Sequence, residues 1–484
     1  MRLNSATMYA RVLAGDAACD GRFFFGVTTT GVYCLPSCRA RKPRPVHVRF
    51  FPSCEAARAA GLRACRKCHP DDFARGADPV LETIEALVHE IRREPAAFAD
   101  ARAIVRRSGF GPTRLFELFR LHFQATPSDL LARARIEAAR RALLQGTAPL
   151  GDVAAAAGFA SLSVFHAHFR RATGLSPAGY RALRSGASFT LALPEGYPLA
   201  HLRRLLGRDP GSPTERLEGD VYRFVVTLDG GPSVLRLALS PAAVQVSLPT
   251  PAAEGPAGGP PPLAEAQRIV AGLLGLGQDA GAFARLATKL GLERLVAGRP
   301  QLRVSQVPDI FDGLVWAIAG QQVNLPFACV LRRRLVERAG TPVCDGLYAP
   351  PSPAAVAALD PSDLLPLQFS RQKAGLLVGA ARLIAEGRLD LAGLREQSAT
   401  RAERTLLAVR GLGPWAVHYL MMRVLGFSDC VPLGDTGVTS GLQALFGLEE
   451  RPDRDATRRL MTVFSPHRSL ATAHLWQFTK PPPP

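Results

Sequence analysis

The segments LLAVRGLGPWAVHYLMMRVLG (residues 406–426) and CVPLGDTGV (residues 430–438) decide the fold of the C-terminal half. Gly411 and Gly413 permit a tight backbone turn between two helices, with amide groups pointing outward. Such amides at a helix N-terminus bind a phosphate without base preference, although a G-x-G pattern alone also fits a simple helix break. Asp435 lies 22 residues after Gly413 in a Leu-Gly-Asp loop. Its presence favours a functional site over a simple helix break.

This arrangement resembles the helix-hairpin-helix glycosylase superfamily, specifically the AlkA-type 3-methyladenine DNA glycosylases. The resemblance covers roughly residues 188–480, and it implies that Asp435 is the catalytic aspartate. Its carboxylate would stabilise an oxocarbenium-like sugar and would position or deprotonate water. The alternative is an N-cap for a helix beginning near Thr436, and one residue can serve both purposes.

The same resemblance implies a pocket that stacks an extruded, electron-poor base between aromatic rings. The base-pocket candidates are Trp415, Tyr419, Trp476, Gln321 and Gln322, the two glutamines belonging to the helix AIAGQQVN (residues 317–324). Both tryptophans could instead be core residues, as is expected of Trp316. Family members with lyase activity carry a lysine where this chain has Trp415, so a monofunctional hydrolase is expected.

Four cysteines form two close pairs near the N-terminus, Cys34 with Cys38 and Cys65 with Cys68. Four sulfurs at this spacing can converge on one tetrahedral ion, and Zn²⁺ suits an all-thiolate site. The simplest interpretation is a structural zinc that stabilises a domain too small to fold alone. Cys19 and Cys54 have no partner at ligand spacing and are expected to be buried thiols.

The segments GRFFFGVTTTGVYCLPSCRARKP (residues 21–43) and AARAAGLRACRKCHPD (residues 56–71) resemble the metal-binding domain of Ada, the bacterial alkylation-response protein. The resemblance implies that Cys34 accepts a methyl group from a methylphosphotriester in DNA. Methylation would remove one negative charge from the cluster and raise its affinity for DNA. The chain has Leu35 where the family leads us to expect an arginine.

An internal repeat links GFGPTRLFELFRLHFQATPSDLL (residues 109–131) with GFASLSVFHAHFRRATGLSPAGY (residues 158–180) at a shift of fifty residues. In each copy an apolar pair at i, i+4 buries one helix face after a Gly-Phe turn, which is typical of a helix-turn-helix. The repeat resembles the AraC-type DNA-binding domain. That resemblance places the DNA-binding side chains at Thr113, Arg114, Glu117, Ser163 and His166, although each could simply be solvated.

The composition agrees with a nucleic-acid partner. Lys and Arg total 59 against 41 Asp and Glu, which gives a net charge of +18. No run of eighteen apolar residues and no secretory signal is evident, so a cytoplasmic protein without a membrane span is expected. The Pro-Cys-His-Arg signature of alkylguanine transferases is missing, so direct reversal of O6-alkylguanine is not expected.

The predicted fold class is a multidomain, mainly α protein with α+β parts. Residues 1–78 form a small zinc domain, 79–186 a double helix-turn-helix domain, 187–262 a small antiparallel sheet domain with a Pro/Gly-rich break, and 263–480 an all-helical helix-hairpin-helix glycosylase domain. The predicted function is base-excision repair of alkylated DNA, fused to a zinc-thiolate sensor and transcription regulator. Double-stranded DNA, damaged or operator, is the expected partner, with RNA polymerase as a further one. The alternative is a transcription regulator whose glycosylase-like part is inactive.

Overall fold

The computed structural model describes residues 4–16, 19–38, 40–76, 78–228, 231–248 and 261–479. Most of the Pro/Gly-rich break, residues 249–260, and the tail from residue 480 lie outside the described residues. The chain divides into two compact units, residues 1–87 and 88–484. Among the described residues, no helix has the length and apolar character needed to cross a membrane.

The first unit is built around a four-stranded sheet with the strand order β3-β1-β2-β4. Its strands are β1 (Phe24–Val27), β2 (Val32–Cys34), β3 (Val48–Phe51) and β4 (Arg63–Ala64). Strand β1 pairs antiparallel with β2 and β3, whereas β2 and β4 are parallel. The helices are α1 (Ser5–Ala14), α2 (Cys54–Ala59) and α3 (Pro70–Ala74). Because β2 and β4 run in the same direction, the residues at their C-terminal ends lie at the same edge of the sheet.

The second unit begins with the two helix-turn-helix copies that the sequence repeat predicted. The helices are α4 (Pro79–Arg93), within which the division between the units falls, α5 (Ala101–Ser108), α6 (Pro112–Phe123), α7 (Pro127–Gln145), α8 (Leu150–Ala156), α9 (Leu162–Thr173) and α10 (Pro177–Arg181). The matched apolar residues Leu115 and Phe119, and Phe165 and Phe169, are all fully buried. Helix α7 starts with a capping box at Thr126, which fixes its first turn.

A five-stranded antiparallel sheet follows, in the order β5-β9-β8-β7-β6. Its strands are β5 (Ser188–Ala192), β6 (Glu215–Glu218), β7 (Val221–Leu228), β8 (Gly231–Leu239) and β9 (Ala243–Ser247), and α11 (Leu199–Leu206) lies between β5 and β6. One core joins this sheet to the second helix-turn-helix copy and to α12 (Pro262–Leu273). A buried Arg332 donates to both carboxylate oxygens of Asp312 at 2.8 Å and to Ser212 and Thr214, which attaches the sheet part to the helices that follow.

The remaining helices enclose the largest core of the molecule. They are α13 (Ala280–Lys289), α14 (Glu293–Val296), α15 (Ile310–Ala319), α16 (Leu325–Ala339), α17 (Pro353–Ala357), α18 (Arg371–Ala385), α19 (Ala399–Leu407), α20 (Pro414–Arg423), α21 (Thr436–Phe446), α22 (Arg454–Met461) and α23 (Arg468–Phe478). A short ribbon of β10 (Thr341–Pro342) and β11 (Tyr348–Ala349) was not expected in this helical part. The predicted mainly α, multidomain fold class is confirmed.

Candidate active site and candidate metal centre

Asp435 lies at the N-terminus of α21, directly after the loop that the sequence singled out. It is the N-cap residue, and its Oδ1 accepts a hydrogen bond from the Val438 amide at 3.0 Å. The preceding Gly434 has φ +90°, a backbone conformation that disfavours residues with a Cβ. The N-cap alternative is therefore correct as a structural description, and it leaves the carboxylate half-buried at the end of the helix.

Two indole rings converge on this carboxylate. Trp476 donates from Nε1 to Oδ1 of Asp435 at 2.9 Å, and Trp415 donates from Nε1 to Oδ2 at 3.0 Å. Gly437 makes the approach possible, since a Cβ at this position would lie 2.7 Å from Cδ1 of Trp476. Both indoles are half-buried and meet at one carboxylate, an arrangement that separate core positions would not produce.

The aromatic surface continues along α20. Tyr419, one turn after Trp415, stacks on it with ring centroids 5.5 Å apart and an interplanar angle of 21°. Both rings are half-buried and pack against the main core, which fixes the position of their exposed faces. Such faces bind flat, electron-poor groups by stacking and cation–π attraction.

The glutamine pair differs from its predicted position on a helix. Helix α15 ends at Ala319, and Gln321 and Gln322 lie in the turn before α16. Gln322 is exposed and has φ +53°, which continues neither helix. The turn starts beside the indole, because a Cβ on Gly320 would lie 3.7 Å from Cη2 of Trp415. The pair is thus near the aromatic surface, on a turn that ends one helix and precedes the next.

Helices α19 and α20 form the predicted hairpin around Gly411 and Gly413. Gly411 has φ +100° and packs close to Leu376, whereas Gly413 is the N-cap of α20 and faces open space. In the part of the chain that the structure describes, neither glycine amide donates a hydrogen bond to a protein acceptor. These two donors at a helix N-terminus are therefore available for an anion.

His418 is a positioning residue that the sequence interpretation missed. Its Nδ1 accepts a hydrogen bond from the Val431 amide at 3.1 Å, and its Nε2 lies 3.1 Å from Oε1 of Glu403 on α19. The hydrogen bond to His418 lowers the pKa of the Glu403 carboxyl. The ring therefore connects both hairpin helices to the loop that leads to Asp435. A single histidine on a helix carries no spacing signal, so only the fold reveals this role.

The predicted helix-turn-helix contact residues lie on α6 and α9. Thr113, Arg114 and Glu117 are exposed, and Arg114 forms an ion pair with Glu117 at 3.3 Å. On α9, Ser163 is exposed and His166 is half-buried. All five are accessible to a ligand in part, but the ion pair must open or reorient for Arg114 to contact DNA.

The two cysteine pairs meet because Cys34 and Cys65 directly follow paired positions of the parallel strands β2 and β4. The ligand atoms of Cys34, Cys38, Cys65 and Cys68 all lie within 4.8 Å of one another. Four sulfurs at about 2.3 Å from one tetrahedral ion would be about 3.8 Å apart, so the cluster fits a metal ion. Hydrogen bonds to Cys38 and Cys68, and then burial, raise the pKa of the Cys34 thiol, so several thiolates here need a cation to balance their charge.

Access to the four sulfurs is uneven. Cys34, Cys38 and Cys65 are buried, whereas Cys68 is half-buried. The side chain of Leu35 is also buried, in a core with Phe51 and Cys54, so it does not replace the arginine that the family resemblance leads us to expect. Cys19 and Cys54 are buried thiols, as expected.

Comparison with known proteins identifies three domain families in the predicted order. The family described as "Metal binding domain of Ada" matches residues 7–71, "Helix-turn-helix domain" matches 104–183, and "HhH-GPD superfamily base excision DNA repair protein" matches 315–466. The chain is 31% identical over 501 residues to the "Probable bifunctional transcriptional activator/DNA repair enzyme AlkA" of Mycobacterium tuberculosis, covering 97% of this chain and 95% of that protein. This chain belongs to that family.

Two further relatives match the C-terminal half. The DNA-3-methyladenine glycosylase of Bacillus subtilis is 33% identical over 179 residues, which is 36% of this chain and 59% of that protein. The 3-methyladenine DNA glycosylase of Archaeoglobus fulgidus has the same fold, with a TM-score of 0.51 and 22% identity over 60% of this chain and 97% of that one. The resemblance stated from the sequence is confirmed, and DNA is the partner class of this family.

Proposed function

We propose that this chain removes 3-methyladenine-type bases from DNA by hydrolysing the N-glycosidic bond, and that its N-terminal part is a methylphosphotriester sensor and transcription regulator. The observation that carries the repair activity is the Asp435 carboxylate, which accepts hydrogen bonds from two indole N–H groups beside the hairpin of Gly411 and Gly413. Membership of a family of activator and repair proteins supports the fusion.

In the proposed reaction, the hairpin amides of Gly411 and Gly413 bind a backbone phosphate while the damaged nucleotide leaves the duplex. Trp415, Tyr419 and Trp476 stack on the base, whose positive charge favours electron-rich rings. Gln321 and Gln322 contact the DNA next to the pocket. An alkylated purine leaves without a strong general acid, so the pocket needs few proton donors.

Asp435 acts on the sugar. Its negative charge stabilises the oxocarbenium-like sugar as the C–N bond breaks, and it orients or deprotonates the water that attacks C1′. The three N–H donors around the carboxylate hold its two oxygens in a fixed orientation, so the carboxylate needs to move little to reach the transition state.

The enzyme is proposed to be monofunctional because no amine replaces the indole of Trp415. Lys373 is the buried lysine of this half; its Nζ donates to the Ala319 carbonyl at 2.8 Å, and burial lowers its pKa. Because that hydrogen bond occupies Lys373 at the end of α15, we assign it a structural role. Water then remains the nucleophile, and the product is an abasic site in an unbroken strand.

The four cysteines are proposed to hold Zn²⁺, which keeps Cys34 deprotonated at neutral pH when bound. The Cys34 thiolate then attacks the methyl carbon of a methylphosphotriester. A sulfur–carbon bond forms, the carbon–oxygen bond breaks, and the phosphodiester leaves with the electron pair. The test is a lasting one-methyl mass increment on Cys34 after incubation with methylphosphotriester DNA. An unmodified cluster, or a methyl group on Cys68, would contradict this assignment.

The exposed side chains of α6 and α9 are proposed to bind operator DNA: Thr113, Arg114, Glu117, Ser163 and His166. Contact with RNA polymerase, a cytoplasmic location and the domain boundaries at residues 78, 186 and 262 stay predictions from the sequence.

The deciding experiment compares base release from methylated duplex DNA by the wild-type chain, Asp435→Asn and Asp453→Asn. Asparagine is as good an N-cap as aspartate, so Asp435→Asn removes the charge and keeps the helix start. Asp453 is the matched control because it caps α22 through the Ala456 amide at 2.7 Å. We expect Asp435→Asn to slow release by about 10²–10³-fold and Asp453→Asn to have no effect. Equal release by all three proteins would refute the role of Asp435, and no release by any would favour a pure regulator.

A further inference from the structure

A second site lies within the larger unit, between the first helix-turn-helix copy and the helices of the C-terminal half. The end of α6 is fixed there: Gln124 accepts from the Asp429 amide at 2.8 Å, and His122 bonds Thr400 on α19 at 2.9 Å. Beside these contacts is a cavity of about 650 Å³. Its size falls within the usual range of small-molecule sites, which occur preferentially at domain interfaces.

The lining of this cavity is strongly cationic. Six arginines line it, against two carboxylates, and both carboxylates accept hydrogen bonds from backbone amides at the start of a helix. Asp129 accepts from the Thr126 amide in the capping box of α7, and Asp279 accepts from the Ala282 amide at the start of α13. The arginines are Arg92, Arg120, Arg133 and Arg140 from the regulator side, and Arg268 and Arg395 from the other.

Two of these arginines are paired with acids, Arg92 with Glu396 at 3.3 Å and Arg140 with Glu137 at 3.1 Å. Arg395 has no acidic partner among the described residues but donates to the Val424 carbonyl at 2.6 Å. The side chains of Arg120, Arg133 and Arg268 form no hydrogen bond or ion pair with any residue that the structure describes.

The side chains of Arg120, Arg133 and Arg268 are exposed to solvent, and other arginines lie close to them around the cavity. Desolvation by the surrounding protein lowers the pKa of Arg133, the carboxylate of Asp129 opposes this effect, and the nearby Arg92 adds to it. Burial lowers the pKa of Arg395 in the same way, with Arg268 adding to the effect. The Nε of Arg395 is buried without a hydrogen-bond partner among the described residues. Arg268 and Arg395 also line a neighbouring cavity of about 490 Å³, which contains Glu265 and Asp309. The acids that line the larger cavity with Arg120 and Arg133 are Asp129 and Asp279.

We propose that this cavity binds a small polyphosphate anion, with a nucleoside polyphosphate as the class that fits its lining. Guanidinium groups bind phosphate oxygens in bidentate fashion, and several unpaired ones around one cavity favour a multiply charged ligand. Phe123, Met422 and Leu425 also line the cavity and offer apolar contact to a base. A DNA duplex does not fit, because a cavity of about 650 Å³ has the volume of a sphere about 11 Å across, and the major groove of a duplex alone is about 12 Å wide. Since both walls contribute arginines, bound anion holds the regulator and the C-terminal helices together.

The test measures binding of inorganic tripolyphosphate and of dATP to the full metal-loaded chain by calorimetry at about 0.15 M salt. The variant is Arg133→Gln combined with Arg268→Gln. The control is Arg141→Gln, an exposed arginine on the same helix as Arg133 that does not line the cavity. We expect the double variant to bind tripolyphosphate at least about tenfold more weakly, and the control to match the wild-type protein.

Duplex DNA added in excess distinguishes this site from the DNA-binding surfaces. Tripolyphosphate that stays bound in its presence supports the cavity, whereas stoichiometric displacement refutes it. No binding by the wild-type chain, or equal affinity in the double variant, also overturns the proposal. Tighter binding of dATP than of tripolyphosphate supports base contact, and weaker binding of dATP refutes the nucleoside part.

Discussion

The hydrogen bonds to Asp435 predict an asymmetry between Trp415 and Trp476. Oδ1 accepts from both Trp476 and the Val438 amide, whereas Trp415 is the donor to Oδ2. Replacing Trp415 with Phe therefore removes the hydrogen bond that fixes Oδ2, while replacing Trp476 with Phe leaves Oδ1 with its backbone partner. Phenylalanine keeps an aromatic face in both cases, so stacking with the base is reduced rather than lost.

A hydrogen bond to a charged group contributes about 1.5–3 kcal/mol, which corresponds to roughly 10–150-fold in rate. We expect Trp415→Phe to slow single-turnover base release by that factor, and Trp476→Phe to slow it by less than about tenfold. The assay uses excess enzyme on methylated duplex DNA, so that the rate reports the chemical step and the enzyme concentration at half-maximal rate reports DNA binding. Trp316→Phe is the control, because Trp316 is buried and packs under Arg208 at 4.2 Å.

Equal slowing by Trp415→Phe and Trp476→Phe, or faster release by Trp415→Phe, would refute the predicted asymmetry. A change confined to DNA binding would also contradict it, because the hydrogen bond from Trp415 orients the carboxylate that acts in the chemical step. An effect of Trp316→Phe as large as that of Trp415→Phe would show that the loss is a general loss of stability.

Three further predictions concern stability. His474 is fully buried and burial lowers its pKa to about 3, so the folded state excludes a proton that the unfolded state binds. Below pH about 6.5, the free energy of unfolding should therefore fall by about 1.4 kcal/mol per pH unit. Chemical unfolding of His474→Gln should show a smaller slope, and an unchanged slope would contradict the assignment to His474. Arg332→Met leaves the buried Asp312 without its partner and should lower the free energy of unfolding by about 3–5 kcal/mol, whereas adding Asp312→Leu should restore most of this stability. An equal loss in the single and the double variant would show that the broken ion pair is not the cause. Removal of the metal by chelation should abolish hydrogen-exchange protection in residues 19–76 while base release continues, and Cys65→Ser should have the same effect, whereas Cys344→Ser should not. Retained protection after chelation would mean that this part folds without its metal.

The sequence was most informative where the chemistry depends on local spacing. The cysteine pairs, the fifty-residue repeat and the Gly-x-Gly hairpin each involve residues within a short segment, so their elements followed from pattern alone. Asp435 as N-cap was also foreseeable, because aspartate before a helix has few other local roles.

The contacts between distant segments could not be predicted in this way. The approach of Trp476 to Asp435 depends on α23 packing against α21 and on the missing side chain of Gly437. The end of α15 at Ala319 separated the glutamine pair from the helix on which the pattern placed it. The six arginines of the cavity are spread between residues 92 and 395, so no short segment of the sequence could reveal that they lie together.

The most direct test of the proposed repair function is the identity of the base that is released from the DNA. Dimethyl-sulfate-treated duplex is incubated with the full chain, and the free bases, abasic sites and strand breaks are each quantified. The account predicts free 3-methyladenine and an equal amount of abasic sites in unbroken strands. Methylated DNA that keeps all its bases would contradict the repair function, and strand cleavage matching base release would contradict hydrolysis by water.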